Sequence, residues 1–176
     1  MTIIVWDGTS LAADRQSSVG DMTTTCEKIR KLDDGRLFAY SGSEGLVLAM
    51  AEHLLTGSPW PTVVGDEGAT LVVVNTNGEV VYYTSNRPTA VKVHQSWFTW
   101  GSGREFAAGA LAMGADARRA AEVACQLCHY CGCGIDVMRP GIEPVPEAPV
   151  YDLDDSGTLA YVRGSRLPDY LSPPEA

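Results

Sequence analysis

A threonine in second place is the first residue of this chain that can do chemistry. If Met1 is removed, as the small residue behind it allows, Thr2 carries a hydroxyl and a free α-amine. An α-amine has a reference pKa of about 7.7–8.0, so much of it is a neutral base at physiological pH. A hydroxyl with its own base on one residue is the threonine form of activated nucleophile, the kind that forms an acyl intermediate. Asp14 and Lys28 are a second pair of interest. Asp14 closes the second of two short β-prone runs and Lys28 lies on the next strand, so strand order predicts a cross-strand ion pair. An ammonium near Thr2 would lower the amine pKa by like-charge repulsion and favour negative charge on Oγ, with Asp14 holding that lysine in place. On an exposed surface the same pair would be worth little.

Two short segments can bind an anion. Ser41-Gly42-Ser43 sits between a strand and a helix start, where backbone N–H groups are free to form an oxyanion hole, and Gly101-Ser102-Gly103 has the same placement before a second helix. Neither is a nucleotide fingerprint, because the chain has no GxGxxG and no GxxxxGK[ST] pattern. Four of the five cysteines cluster at Cys125, Cys128, Cys131 and Cys133, a spacing compatible with a zinc or iron–sulfur site. The competing reading is small buried thiols on a helix face, and it is preferred because Cys125 and Cys128 lie among alanines. His53, His94 and His129 are scattered and form no HExxH or triad pattern.

The elements that must position these residues read as strands, a helix, strands and two helices. Asp7-Gly8 between β-prone runs predicts a hairpin over residues 2–14. Residues 23–32 read as one strand ending at Asp33-Asp34-Gly35, and residues 36–40 as the next. Ser43 is a fitting N-cap for a helix whose apolar positions are Leu46, Val47, Met50, Ala51 and Leu54. Residues 69–74 and 79–84 flank an Asn-Thr-Asn-Gly connection, and 91–94 and 97–100 read as further strands. A helix over 104–113 precedes one capped by Asp116, whose face is built mainly of alanines. This order predicts α+β layers, with sheets packed together and helices outside.

The 176 residues, 45% hydrophobic and 20% charged, fit one domain with a two-layer core. A net charge of −9 argues against a nucleic-acid partner, which needs clustered Lys and Arg. No apolar run approaches a membrane span, and the N-terminus lacks a signal peptide's charged and apolar regions, so the expected location is the cytoplasm. An odd cysteine count there fits reduced thiols. Prolines 140, 144, 146 and 149 mark off an acidic extension over 139–176, in which 158–162 reads as one strand.

Thr2 after Met1, Ala-Ala-Asp14, Lys28-Ile29, Tyr40-Ser41-Gly42, Gly101-Ser102-Gly103 and Tyr130-x-Gly132 occur in the order seen in proteasome β-type subunits. The chain thus resembles the N-terminal nucleophile hydrolases, with HslV-type peptidase similar in size, over residues 2–138. The resemblance implies a four-layer αββα sandwich, a homo-oligomeric ring, a polypeptide substrate and no cofactor or metal; an ATP-dependent unfoldase partner is compatible with it. It implies Thr2 as nucleophile, Lys28 as the lysine tuning its protonation and Asp14 as that lysine's partner. Gly42 is similar to the oxyanion donor, Tyr40 to a residue shaping the substrate pocket and Ser102 to the serine near the Thr amine. Where such proteins carry a supporting Asp and Ser, this chain has Cys128 and Cys131. That departure leaves two alternatives beside a threonine-type peptidase: a catalytically silent ring or scaffold protein, and a small-amide amidohydrolase.

Overall fold

The computed structural model describes residues 2–65, 67–141, 150–153 and 159–163. Contacts divide the chain into a unit of Met1–Ile142 and a unit of Glu143–Ala176.

The first unit is built on the N-terminal hairpin. Strands β1 (Ile3–Trp6) and β2 (Leu11–Asp14) pair with Ile4 opposite Ala13, Val5 opposite Ala12 and Trp6 opposite Leu11. All eight residues are buried, because this sheet is covered on both faces. β10 (Phe98–Gly101) joins beyond β1 and β11 (Ile135–Met138) beyond β2, so the order is β10-β1-β2-β11, all antiparallel. The second sheet has the order β5 (Ile29–Lys31), β6 (Leu37–Gly42), β7 (Ala69–Val74), β8 (Val80–Thr84), β9 (Arg87–Lys92). Pro88 falls in β9, an edge strand, where a missing N–H is tolerated.

The period-2 alternation of β1 and β2 sorts their side chains between two cores. Ile4, Trp6, Leu11 and Ala13 meet Ile29, Leu37, Ala39, Val72 and Val74 of the second sheet. Ile3, Val5 and Ala12 face outward to α2 (Arg104–Ala112) and α3 (Ala117–Leu127). Helix α1 (Glu44–Thr56) covers the far face of the second sheet, with Val47 and Met50 against Phe38, Leu71 and Val73. Helices, sheet, sheet, helix make the four-layer αββα sandwich. The alanines of α3 (Ala117, Ala120, Ala121 and Ala124) are fully buried, and their size lets the helix lie close on β1 and β2.

Local signals hold with three refinements, the first being that the strand expected over 91–94 is the end of β9, which starts at Arg87 and stops before Val93. Asp116 caps α3 by accepting the Arg119 amide at 2.8 Å. Ser43 occupies the N-cap of α1, but its side chain makes no capping bond; its amide donates to the Gly68 carbonyl at 3.0 Å instead. The stretch expected as one strand over 23–32 is two elements. β4 (Met22–Thr25) pairs with β3 (Gln16–Val19) in a separate hairpin, and the chain then crosses to the second sheet at β5.

In the second unit, β12 (Val150–Leu153) pairs antiparallel with β13 (Leu159–Arg163). The expected strand over 158–162 corresponds to β13, with residue 158 outside the described residues.

Candidate active site

Thr2 lies one residue before β1 and is only 4% exposed. Its backbone is clamped from the β10–α2 connection. The Ser102 amide donates to the Thr2 carbonyl at 2.8 Å and the Ser102 hydroxyl donates to the same oxygen at 3.3 Å. Gly101 makes that approach possible. Its φ is +93°, and a Cβ there would lie 2.0 Å from the Thr2 carbonyl oxygen. The expected loss of Met1 concerns a residue outside the described ones.

Behind Thr2 stands Asp14, wholly buried at the end of β2. One carboxylate oxygen accepts the Ile3 amide at 2.9 Å and the Lys28 ammonium at 2.9 Å. The other accepts the Gln16 amide at 3.2 Å and the Gly132 amide at 3.0 Å. The Asp14–Lys28 pair exists, but not as a cross-strand pair within one sheet. Lys28 precedes β5 of the second sheet, so the ion pair bridges the two sheets, and its side chains are 4% and 0% exposed. The reason is that the strand run ends at Thr25 and resumes at Ile29, and the residues between them take Lys28 off the β3–β4 hairpin and across to the other layer. In this setting the screening that weakens surface pairs is absent.

Thr2, Lys28, Tyr40 and Gly42 line one cavity of about 100 Å³, with Ser17, Cys26 and Glu44 among the other walls. Gly42 is the last residue of β6, paired opposite Ala69, with φ +97°. A Cβ on it would stand 2.1 Å from the Gly68 carbonyl oxygen, so close backbone packing requires glycine. Tyr40 is held at both ends: its amide donates to the Lys28 carbonyl at 3.1 Å and its hydroxyl to the Glu27 carbonyl at 2.6 Å. Burial, reinforced by the neighbouring Cys26 and Glu44, pushes its hydroxyl up to about 12, so it remains a donor. A cleft of about 520 Å³ opens elsewhere, beside Gly8, Asn77 and Lys92, and contains none of these residues. Chemistry rather than size selects the smaller cavity.

The structure therefore brings Thr2, Lys28, Tyr40 and Gly42 to one cavity and sets Asp14 and Ser102 behind Thr2 as supports. Cys131 adjoins this support: its Sγ is 3.9 Å from the Ser102 hydroxyl. Burial first, and then the Asp14 charge, push its thiol up to about 12. Cys128 is the C-cap of α3 and is buried in the same core as Cys131. Cys133 is exposed, in a left-handed turn at φ +61°. Among the described residues, no group of three or more His, Cys, Asp or Glu is arranged to hold a metal. Sequence reasoning missed Gln16, Ser17 and Ser18 from β3, which have no β-branched signal, and Cys26 and Glu44, whose only signal is closeness in sequence to Lys28 and Gly42.

No protein-family model matches the sequence, and no curated protein matches it. Solved structures do match. Eukaryotic HslV from Trypanosoma brucei is similar with a TM-score of 0.61 at 20% identity, over 78% of this chain and 98% of that one. BPH of Thiobacillus denitrificans, a bacterial proteasome homologue, is similar in its complex with epoxomicin with a TM-score of 0.61 at 18% identity, over 82% of this chain and 100% of that one. The same protein without that partner gives a TM-score of 0.59 at 18% identity, over 81% and 100%. The sandwich built around Thr2 is the proteasome-β/HslV-type fold.

Proposed function

We propose that the protein is a threonine-type peptidase that cleaves polypeptides through an acyl-enzyme on Thr2, once Met1 has been removed. The observation that carries this reading is the convergence of Thr2, Lys28 and Gly42 on one cavity, backed by the buried Asp14–Lys28 pair. Thr2 Oγ attacks the peptide carbonyl while the α-amine takes its proton, directly or through water. The Gly42 amide is the donor to the resulting oxyanion, and the Lys28 ammonium favours the charge developing on Oγ. The amine then protonates the leaving nitrogen as the C–N bond breaks, and water hydrolyses the ester to restore Thr2. Asp14 and Ser102 are positioning residues, Tyr40 shapes the substrate pocket, and the reading invokes no cofactor. Residues 1–138 carry the catalytic domain and 139–176 an extension. By analogy with the fold's other members, identical subunits form a cytoplasmic ring, and an ATP-driven unfoldase is a compatible partner.

The neighbour's complex with epoxomicin supplies the probe. Intact mass of the native protein before and after an epoxyketone of that class should show loss of Met1 and one adduct, mapped to Thr2 and absent in Lys28→Ala. Retention of Met1 with no adduct would sink the peptidase reading. A silent scaffold is the second reading, favoured by Cys131: its thiol, held protonated beside Ser102, offers no charge to the site. Small amides assayed beside peptides separate the peptidase from an amidohydrolase.

A further inference from the structure

Cys128 and Cys131 stand at the two ends of one turn. The Cys131 amide donates to the Cys128 carbonyl at 3.1 Å, which closes residues 128–131 as a β-turn. The end Cα atoms of such a turn lie within about 7 Å, and a disulfide needs about 4.4–6.8 Å. The central residues His129 and Tyr130 are exposed, whereas the two cysteines turn inward to the α3 core and are 8% and 4% exposed. Both are free thiols, and they interact across the turn. The same turn touches the Thr2 support at two points. Gly132, the next residue, donates to Asp14 at 3.0 Å. Cys131 Sγ is 3.9 Å from the Ser102 hydroxyl, and it packs on Gly103 so closely that a Cβ there would meet it at 3.0 Å. The Ser102 proton is spent on the Thr2 carbonyl, so the thiol is the donor in its contact with Ser102.

We propose that Cys128 and Cys131 are a redox switch: a small peroxide converts them to a reversible disulfide that loosens the Ser102 clamp and slows Thr2. The slowing rests on the peptidase reading; the disulfide does not. Cys128 is the more exposed thiol and reacts first, since burial holds the Cys131 thiol protonated. Its thiolate attacks one oxygen of hydrogen peroxide, the O–O bond breaks, and a sulfenic acid forms. The departing hydroxide takes up the proton that Cys128 gave. Cys131 sulfur then attacks the Cys128 sulfur, and the S–S bond forms as the S–O bond breaks. The Cys131 proton leaves with that hydroxide as water. Two thiols are thus oxidised and one peroxide is reduced to two waters. Bonding draws Cys131 Sγ to about 2.05 Å from its partner and removes its S–H. Ser102 then loses a donor, and Gly103 loses the sulfur packed against it.

The test treats the full native chain with hydrogen peroxide, blocks the remaining thiols with N-ethylmaleimide after unfolding, and maps disulfides by peptide mass. A Cys128–Cys131 disulfide should appear, with free thiols falling from five to three as two are joined, and dithiothreitol should reverse it. Epoxyketone labelling of Thr2 should run about fivefold slower in the oxidised chain, the worth of one ordinary hydrogen bond, and recover on reduction. In Cys128→Ala the labelling rate should not respond to peroxide, and Cys128→Ser serves should the alanine variant not fold. Four results overturn the switch and leave the nucleophile in place: no disulfide, pairing through Cys125 or Cys133 instead, an unchanged rate in the disulfide form, or slowing that persists in Cys128→Ala. The last would point to Cys26 in the Thr2 cavity. A reduced chain that never labels overturns the peptidase reading and the effect on Thr2 with it, and the mapping alone then decides the disulfide.

Discussion

Replacing Lys28 by methionine removes one ammonium from the interior and keeps most of its volume. The lysine Nζ sits 2.9 Å from Asp14 Oδ1, between side chains that are 4% and 0% exposed. Without it, Asp14 keeps the amides of Ile3, Gln16 and Gly132 but has lost the ammonium that balances its charge. Removing one partner of a buried pair costs about 3–5 kcal/mol, and the three remaining amide bonds place this case near the lower end. At about 2–4 °C per kcal/mol for a chain of this size, Tm should fall by about 6–12 °C. Asp14→Asn should cost a similar amount. The double variant should be more stable than the sum of the two singles predicts by at least about 1.5 kcal/mol, because it removes both charges together. Urea unfolding followed by tryptophan fluorescence and circular dichroism gives the three values and checks two-state behaviour. A Lys28→Met loss below about 1 kcal/mol, or simple additivity in the double variant, would refute the reasoning that the pair is dry and mutually dependent. Restored stability in the double variant should not bring back labelling of Thr2, which separates the lysine's structural role from the chemical one proposed for it.

Gly101→Ala should destabilise the fold by more than about 2 kcal/mol and abolish Thr2 labelling, since the new Cβ would meet the Thr2 carbonyl oxygen at 2.0 Å in a left-handed backbone; denaturation and mass spectrometry report the two effects, and a near-neutral result would contradict the clamp. Stability should also decline as pH rises from about 9 to about 12. Burial holds the thiol of Cys131 up to about 12 and that of Cys125 up to about 11, and the Tyr40 hydroxyl up to about 12, so the unfolded chain releases these protons first. The sign follows: folded values above unfolded ones mean stability that is present at neutral pH and lost on the alkaline side. Tm measured across that range should fall less steeply in Cys131→Ala, and an identical slope would remove Cys131 from the account.

Much of this architecture is legible because local signals are strong where elements are short and bounded. Asp7-Gly8 announces the hairpin, and the Asp7 carboxylate secures it by accepting the Thr9 and Ser10 amides at 2.8 and 2.7 Å. The Leu46–Leu54 spacing and the Gly57 stop define α1, whose last turn closes with the Gly57 amide on the His53 carbonyl. What sequence hides is the change of layer. The β-branched run Thr23–Thr25 continues into Ile29 without a glycine or proline, so nothing local marks the break at residues 26–28. β3, with Gln16, Ser17 and Ser18, has no apolar alternation because it serves the cavity rather than the core. β11 is also invisible locally: Ile135–Met138 is a four-residue run whose role is fixed by its partner β2. The site was legible as a set of residue types in order. The positions that join it into one object (Gly101 against Thr2, Gly132 against Asp14) become visible only in three dimensions.

The four donors gathered by Asp14 come from Ile3, Gln16, Lys28 and Gly132, and the last is 118 residues away in sequence. During synthesis at about 5–20 residues per second, roughly 100 residues between Lys28 and Gly132 take about 5–20 s to emerge. Over that interval the nascent chain holds Thr2 without the complete cradle that orients it, and the Ser102 clamp also arrives late. A chain released early, short of Gly132, carries Thr2 but not the complete set of donors around Asp14. The long-range bond thus ties the setting of Thr2 to the growth of the chain: the cradle closes only once residue 132 has been made.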